Sequence, residues 1–189
     1  MNLKRGSKII GWDDGPFRIG ETRYAPLVGV ITRGGDGVDG IIKTEIEVDG
    51  LSGTDLIAKA VEESKHREEL RLILLDGITF GGFNVVDINR LAEKTGIPVL
   101  AVTRNKVDRT SFKDALKNLP NFDQRWEAVK HAGKVKSFRT EGKLVFYQTG
   151  SLSSEEAETA IRLSSTYSTL PEPIRLADMI ARALVNGES

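Results

Sequence analysis

Two strongly apolar segments with a short amphipathic one between them constrain the fold of this chain more than any other feature. LRLILLD at 70–76 and IPVLAVT at 97–103 have the continuous apolar character of strands buried on both faces. Between them, VVDINRLAEKTG has helical spacing and a stop signal at Gly96. A strand, helix, strand order of this kind demands parallel pairing through a right-handed crossover.

The segments before this unit predict three antiparallel strands. SKIIGWD at 7–13 reads as a short buried strand, and two longer stretches, APLVGVITRG and VDGIIKTEIEVDG, are joined by the glycine-rich hairpin signal GGDG at 34–37. Apolar residues alternate with charged ones over 42–48, which predicts one buried face. A helix capped by Thr54 or Ser52 then leads to the 70–76 strand.

The second half of the chain is predicted to be mainly helical. Helical patterns in TSFKDALKNL and FDQRWEAVKHA precede two strand candidates, KVKSFR and KLVFYQT, and two amphipathic helices at 153–165 and 170–187 complete the chain. Together these patterns predict an α/β, ribonuclease H-like mixed sheet with three antiparallel strands, then two parallel ones, and helices on both faces. We expect residues 1–189 to form one such domain.

Composition excludes several kinds of site. The chain has no cysteine, which rules out disulfides, thiolate zinc sites and a cysteine nucleophile, and two histidines argue against an imidazole-rich metal site. No apolar run approaches the roughly 18 residues of a membrane span, and the basic N-terminus lacks the apolar region of a secretory signal. These observations predict a cytoplasmic protein without membrane contact.

Charge gives no global signal for nucleic-acid binding. The 27 Lys and Arg residues balance the 27 Asp and Glu residues, whereas many nucleic-acid-binding proteins are strongly basic. Basic residues concentrate in 104–113 and in 130–143. From charge alone, such runs are explained more often by a solvated surface than by a binding surface.

Three aspartates stand where predicted elements begin or end. Asp13 closes the first strand, Asp76 closes the 70–76 strand, and Asp55 lies in the first turn of the helix between them. Pairing of those two strands would place Asp13 and Asp76 roughly 5 Å apart, with Asp55 approaching from the side; Asp14 should point the opposite way from Asp13. Carboxylates are the ligands that Mg²⁺ prefers, so the cluster predicts a metal centre for phosphodiester or phosphoryl chemistry.

Each aspartate also has an ordinary structural explanation. Asp-Gly is a common turn dipeptide, and an acid such as Asp55 near a helix N-terminus is favoured by the helix dipole. Taken singly, the two explanations are equally good. Convergence of all three in one fold favours the metal centre, in which crowded like charges should raise at least one carboxyl pKa when no cation is present.

Three motifs, GWDDGPF, LDGITFGGFN and PEPIRLAD, resemble those of a largely archaeal family distantly related to endonuclease V, one branch of which is called endonuclease dU. The resemblance spans nearly the whole chain. Endonuclease V has an aspartate after Gly-x on its first strand, a glutamate one helix before its DG motif, and the DG aspartate, which match Asp13, Asp55 and Asp76. The resemblance implies that Asp13 and Asp76 hold the principal ion and that Asp55 completes the catalytic site directly or through water.

The chain departs from endonuclease V at several positions. Asp55 is one methylene shorter than the corresponding glutamate, Ser151 stands where the relative has a histidine, and VDGLSGTD contains no counterpart of the relative's Tyr-Ile-Pro wedge, which separates DNA strands. These departures leave open a protein that kept the fold and binds nucleic acid with reduced or no catalysis.

Nucleic-acid contacts are predicted from two segments. The loop after Asp76 lacks the relative's basic residues, so Phe80 and Phe83 are candidates for stacking on a base, although apolar loop residues belong more often to the core; Asn84, next to them, is a further candidate. Arg104 and Lys106 lie where the relative has a lysine and are candidates for phosphate contacts.

The acids and the resemblance together predict an Mg²⁺- or Mn²⁺-dependent endonuclease that acts in DNA repair on a deaminated base, with uracil as the leading candidate. Cleavage of RNA and binding without catalysis are alternatives, because a fold alone does not assign a substrate. The oligomeric state is left open.

Overall fold

A computed structural model describes residues 3–140 and 142–189. The described strands are β1 (Lys8–Asp14), β2 (Tyr24–Arg33), β3 (Asp36–Glu47), β4 (Leu70–Asp76), β5 (Thr79–Phe80), β6 (Asn84–Val85), β7 (Val99–Thr103), β8 (Lys136–Thr140) and β9 (Lys143–Gln148). The helices are α1 (Gly53–Glu62), α2 (Ile88–Thr95), α3 (Arg109–Lys117), α4 (Phe122–His131), α5 (Ser154–Ser164) and α6 (Glu172–Asn186). None of the helices in this part of the chain is both long and apolar enough to cross a membrane.

Seven strands form one mixed sheet in the order β3-β2-β1-β4-β7-β9-β8. β1, β4 and β7 are parallel to one another, and β2, β3, β9 and β8 are antiparallel to their neighbours. The predicted mixed sheet, with its antiparallel meander and its two crossover-linked strands, is confirmed. The two strand candidates beyond α4 are confirmed as well, and they extend the sheet past β7.

Helices cover both faces of the sheet because alternate strand residues point to opposite sides. On β1, Ile10 and Trp12 join the core beneath α1 and α2. Ile9 joins a second core beneath α5 and α6. The central strands therefore run between two hydrophobic layers, and only their ends can present polar side chains to solvent.

Helix α6 packs directly against β1. A Cβ atom added to Gly11 would lie 2.5 Å from the backbone nitrogen of Ile174 and 2.5 Å from the carbonyl carbon of Pro173. Only a glycine allows this approach, because Cβ contacts shorter than 3 Å are sterically forbidden. The close contact brings the next turn of α6, which carries Asp178, to the end of β1.

The N-terminus of α1 is capped from outside the helix. Ser52 makes no side-chain capping bond, so the predicted cap is wrong there. Instead, the amide of Gly53 donates to Asn84 Oδ1 at 2.9 Å, and Asn84 Nδ2 donates to the carbonyl of Glu47 at 3.2 Å. Thr54 Oγ1 accepts a hydrogen bond from the amide of Asp87. The loop after β4 thus fixes where α1 begins.

Candidate active site

Asp13 and Asp76 lie side by side at the carboxyl ends of β1 and β4. The strands are in parallel register with Trp12 opposite Leu75, so the next residue on each strand is one of the two aspartates. Their carboxyl groups are close enough to form a hydrogen bond with each other. The predicted adjacency of these two acids is therefore what the fold produces.

The surroundings of the two carboxyl groups penalise their negative charges. Asp13 is 8% exposed, and its burial, together with the charges of Asp76 and Asp14, raises its pKa to about 9. Burial also raises the pKa of Asp76 to about 6, although the positive charge of Arg104 and the hydrogen bond from Asp13 oppose that rise. The raised pKa values favour a proton held between the two groups when no cation is bound, since two adjacent carboxylates removed from water repel each other.

The side chain of Asp14 binds the backbone of the loop that follows β4. Its Oδ2 accepts a hydrogen bond of 3.0 Å from the amide of Gly81, in the loop that follows β4. Burial raises its pKa to about 6, and the hydrogen bond to Gly81 opposes that rise. Asp14 thereby ties the loop after Asp76 to the end of β1.

Asp178 of α6 is a site residue that the sequence reasoning missed. It lines a cleft of about 280 Å³ together with Asp13 and Asp76, and its charge contributes to the raised pKa of both. Its Oδ1 accepts a hydrogen bond of 2.6 Å from Nε of Arg182, one turn further along the helix. Two features of the sequence could have indicated this role. The PEPIRLAD motif ends at Asp178, and Gly11 allows α6 to approach the end of β1.

Asp55 does not join the cluster, which corrects the prediction that three acids converge. Arg90 Nη2 donates to both of its carboxylate oxygens, at 2.8 and 3.0 Å, and Lys94 Nζ lies 3.2 Å from Oδ1. The physical reason is that α2 presents two cations to the first turn of α1. Asp55 is about half exposed and lines neither of the clefts that contain Asp76 and Asp178.

The pair suits a divalent cation through its ligand chemistry. Within residues 3–140 and 142–189, no three His, Asp or Glu side chains are gathered tightly enough to enclose a metal ion. Mg²⁺, however, is usually held by one or two carboxylates, and it keeps waters and substrate phosphate oxygens as its remaining ligands. Asp13 and Asp76 fit that requirement, with Asp178 nearby on the open side.

Two basic side chains stand beside the acids. A second polar cleft, of about 170 Å³, runs from Asp76 to Arg104 and along α6 to Arg182. Arg104 is exposed and close enough to lower the pKa of Asp76. Asp76 therefore lies between a cleft that is mostly acidic and one that contains guanidinium groups, an arrangement suited to a phosphate beside a metal ion.

The loop residues predicted to contact nucleic acid are mostly internal. Phe80 is 1% exposed and belongs to the main core, and Asn84 is fully buried at the cap of α1, so both predictions are wrong. The reason is that the predicted loop contains the short β5–β6 hairpin, which turns both side chains inward. Phe83 is half-buried, with its ring centroid 5.6 Å from that of Phe112.

The segment after β7 is open to solvent, as its predicted role requires. Arg104 and Lys106 are both exposed, and only Arg104 is shown to influence the acidic pair. A larger cleft of about 470 Å³, between β3 and α1, lies away from the paired acids.

Comparison with known proteins finds one family and similar proteins along nearly the whole chain. The endonuclease dU family profile matches residues 5–185. UPF0215 proteins of Methanopyrus kandleri and Methanosarcina barkeri are 44% and 40% identical over 189 residues, covering 99% and 100% of this chain and 95% and 96% of their own lengths. A crystal structure from Archaeoglobus fulgidus, described as a protein of unknown function, has a TM-score of 0.86 at 39% identity, covering 95% of this chain and 99% of that one.

More distant structures share the fold. Endonuclease V of Ciona intestinalis, crystallised with a 24-mer DNA that contains an inosine followed by a ribo-adenosine, has a TM-score of 0.63 at 16% identity, covering 96% of this chain and 86% of that one. Human endonuclease V has a TM-score of 0.61 at 14% identity, covering 96% and 85%. The predicted resemblance and the predicted ribonuclease H-like architecture are confirmed.

Proposed function

Because the chain belongs to the endonuclease dU family, we propose that it is a metal-dependent endonuclease that cleaves DNA at or near a deaminated base, with uracil as that base. The observation that carries the proposal is the adjacency of Asp13 and Asp76 at the carboxyl ends of two paired parallel strands, where the pKa of each carboxyl group is raised. Holding like charges this close costs stability unless a ligand compensates them.

Asp13 and Asp76 would hold one Mg²⁺ or Mn²⁺, with Asp178 available directly or through water. When bound, such an ion supplies an activated water and a Lewis acid for a phosphodiester. Loss of the shared proton prepares the two carboxylates for this role, since only ionised carboxylates bind the ion. Asp55 has no part in this site, because Arg90 and Lys94 already neutralise it.

The side chains around the pair supply orientation and charge. Arg104 stands at the mouth of the second cleft, where a guanidinium can hold a phosphate through two hydrogen bonds. Asp14 fixes the loop after Asp76 through the amide of Gly81. Arg182 holds the Asp178 carboxylate in place. This chain has zero net charge, so attraction of the negatively charged substrate depends on local cations such as Arg104.

The choice of DNA as the substrate rests on solved structures that have a similar fold. Two structures of Ciona intestinalis endonuclease V, which have a similar fold, were crystallised with inosine-containing DNA, which supports a nucleic-acid substrate for this chain. Because those DNA strands contain a ribo-adenosine, RNA is the alternative substrate to compare with DNA. Matched DNA and RNA strands that carry the same single uracil decide between the two, and faster cutting of the DNA strand is the expected result.

Cleavage by single variants tests the proposal. D13A and D76A should each lower the rate on uracil-containing DNA by about 100-fold or more, the usual loss when a group that stabilises transition-state charge is removed. D55A is the matched control, since it removes the same carboxylate from a site that is neutralised internally, and it should stay within a few-fold of the parent. Cutting by D13A or D76A at the parent's rate would contradict the proposal.

If the parent protein does not cut DNA at all, a measurement of Mn²⁺ binding still tests the metal centre. If Mn²⁺ still binds and D76A abolishes that binding, the metal centre survives and the cleavage chemistry is lost. If no Mn²⁺ binds, the proposed metal centre is wrong, and the alternative of a nucleic-acid-binding protein without catalysis is favoured.

A further inference from the structure

The outer edge of β3 is an unpaired strand edge at one end of the sheet. β3 spans 12 residues, and within the described part of the chain β2 is its only neighbour in the sheet. Its pairing with β2 is regular from Gly40 to Glu47 and shifts only nearer the hairpin. The backbone N–H and C=O groups along such an edge can pair with a strand of another chain.

A groove runs along this edge, between β3 and α1. It is the cleft of about 470 Å³, and its helical side is formed by Leu56, Lys59, Ala60 and Glu63. These positions recur every three or four residues, so they form one flank of α1. The flank has one cation and one acid, with Lys59 Nζ 3.9 Å from Glu63 Oε1. Because its charges balance, a second copy of the same flank is not repelled.

The side chains of β3 alternate in a way that suits a second copy of the same strand. On the exposed face, Lys43 Nζ lies 3.8 Å from Glu45 Oε1. On the face toward α1, Ile42 is partly buried, Ile46 is buried in the main core, and Thr44 lies between them. In an antiparallel pair, residues that face each other point to the same side of the sheet. A symmetric pair of β3 strands must therefore be centred on one residue.

A centre on Thr44 satisfies both faces of the strand. Lys43 would face Glu45 of the second copy, and by symmetry this contact would occur twice. On the other face, Ile42 would face Ile46 of the second copy, and Thr44 would face itself. Opposite-charge, β-branched and Thr–Thr pairs are the cross-strand pairs that stabilise sheets. A centre on Lys43 or on Glu45 would instead place like charges opposite each other.

Other positions on the two sheet edges fit less well. A centre on Ile41 would use Asp39 as the partner of Lys43. The Asp39 carboxylate, however, already contacts two cations, Lys8 at 3.2 Å and Arg33 at 3.0 Å. The opposite edge strand, β8, has charged residues of one sign only, so no register of β8 with itself pairs opposite charges.

Helix α1 follows β3 in the reverse direction. The amide of Gly53, at the start of α1, and the carbonyl of Glu47 both bind Asn84, and beyond the end of α1 His66 lies against Gly40. The middle of α1 therefore lies beside the middle of β3. A twofold axis through the middle of β3, normal to the sheet, would bring the α1 flanks of two copies toward each other on one side of the sheet.

We propose that this edge is the interface of a symmetric dimer, in which β3 pairs antiparallel with β3 of a second copy about Thr44 and the two grooves close on each other. The sheet would then continue through both copies. The inference does not depend on the proposed function, because β1 and β4, which carry Asp13 and Asp76, lie two and three strands away from β3. The twofold axis would place the two acid pairs at opposite ends of the shared sheet.

The mass of the full chain in solution is the first test. Sedimentation equilibrium from low to high micromolar concentration should give twice the chain mass of 20.7 kDa at the upper end. A protein that stays monomeric throughout overturns the inference and leaves the edge to a different partner.

Charge exchange on β3 tests the register. K43E and E45K should each raise the dissociation constant of the dimer about tenfold, since each turns two facing pairs of opposite charge into pairs of like charge. The double variant K43E/E45K should return to within a few-fold of the parent. K117E is the matched control, because Lys117 also pairs with a nearby acid, Asp114 at 2.8 Å, but on α3. A dimer that K43E leaves intact, or losses that the double variant does not recover, contradict the inference.

Cysteine cross-linking tests the centre of the pair without a change of charge at that centre. The chain has no cysteine, so a single introduced thiol can link only to its own copy. Facing residues of antiparallel strands have Cα atoms about 4.5–5.5 Å apart, within the range of a disulfide. T44C should therefore form a disulfide-linked dimer on mild oxidation. In E47C the two thiols would be about 20 Å apart and should stay unlinked.

This cross-link also decides the matter if thermal melting shows that a charge variant is unfolded. Failure of folded T44C to link, or linking of E47C as fast as T44C, overturns the proposed pairing about Thr44.

Discussion

The carboxylate pair at the ends of β1 and β4 contrasts with the carboxylate of Asp55 at the start of α1. All three side chains belong to aspartates at element boundaries. Asp55 is half-exposed and contacts Arg90 and Lys94, whereas Asp13 is buried, Asp76 is partly buried, and their carboxyl groups contact each other. The difference teaches that an acid's neighbours, rather than its place in an element, decide whether it needs an ion from outside.

The largest expected difference between the two regions is in how much a bound metal ion stabilises the folded protein when each acid is replaced. At a free Mn²⁺ concentration 100 times the dissociation constant, the folded state of the parent should gain about 2.7 kcal/mol, because the ion binds only the folded state. D55A should gain the same amount, and D76A should gain nothing. Thermal melting with and without Mn²⁺ measures this, and an equal gain in D76A would erase the proposed distinction.

Neutralising one acid in each region should change stability in opposite directions. Without metal at pH 8, D13N should raise the free energy of unfolding by about 1–3 kcal/mol, because the folded parent must hold a proton that unfolded Asp13 releases at this pH, whereas asparagine is a neutral polar group of the same shape. D55N should lower it slightly, because Arg90 and Lys94 lose their partner. Urea unfolding of both variants checks the signs; destabilisation by D13N would mean that the pair is already compensated.

The pH dependence of the metal-free protein should report the same pair. The pKa of Asp13 is raised from 3.8 to about 9, so the folded state keeps a proton that the unfolded state loses. Its contribution to stability is therefore fully present below pH 3.8 and is lost as the pH rises toward 9. The parent should lose stability relative to D13N between these limits. Urea titrations at several pH values test this, and parallel curves for the two proteins would contradict it.

The ion pair of Asp55 should give the smallest effect. A double-mutant cycle with D55A and R90A should yield a coupling energy of about 0.2–1 kcal/mol, the range of exposed pairs. Cleavage by both single variants should stay near that of the parent. A coupling of several kcal/mol, or a large loss of cleavage in R90A, would indicate that this region takes part in the site after all.

The sheet and the adjacency of Asp13 and Asp76 could be predicted because both depend on local pattern. Apolar runs define the strands, and an acid at the end of each of two paired parallel strands leaves little freedom for where it lies. The contribution of Asp178 could not be predicted in the same way, because it depends on the close approach of α6 to Gly11. Such a contact involves residues far apart in the chain.

The wrong site predictions have a common cause. Phe80 and Asn84 lie in a glycine-rich segment typical of an exposed loop, yet the β5–β6 hairpin buries both. Asp55 was assigned by its position in α1, and the sequence does not show that α2 would bring Arg90 and Lys94 within reach. In each case, packing between elements decided the surroundings of the side chain, and periodicity along one element carries no information about that packing.

Anomalous diffraction from a crystal soaked in Mn²⁺ tests the central claim most directly. The account predicts one strong peak between the carboxylates of Asp13 and Asp76 and no peak at Asp55. A structure in which those two side chains turn away from each other with no peak between them, or in which the ion sits at Asp55, would contradict it.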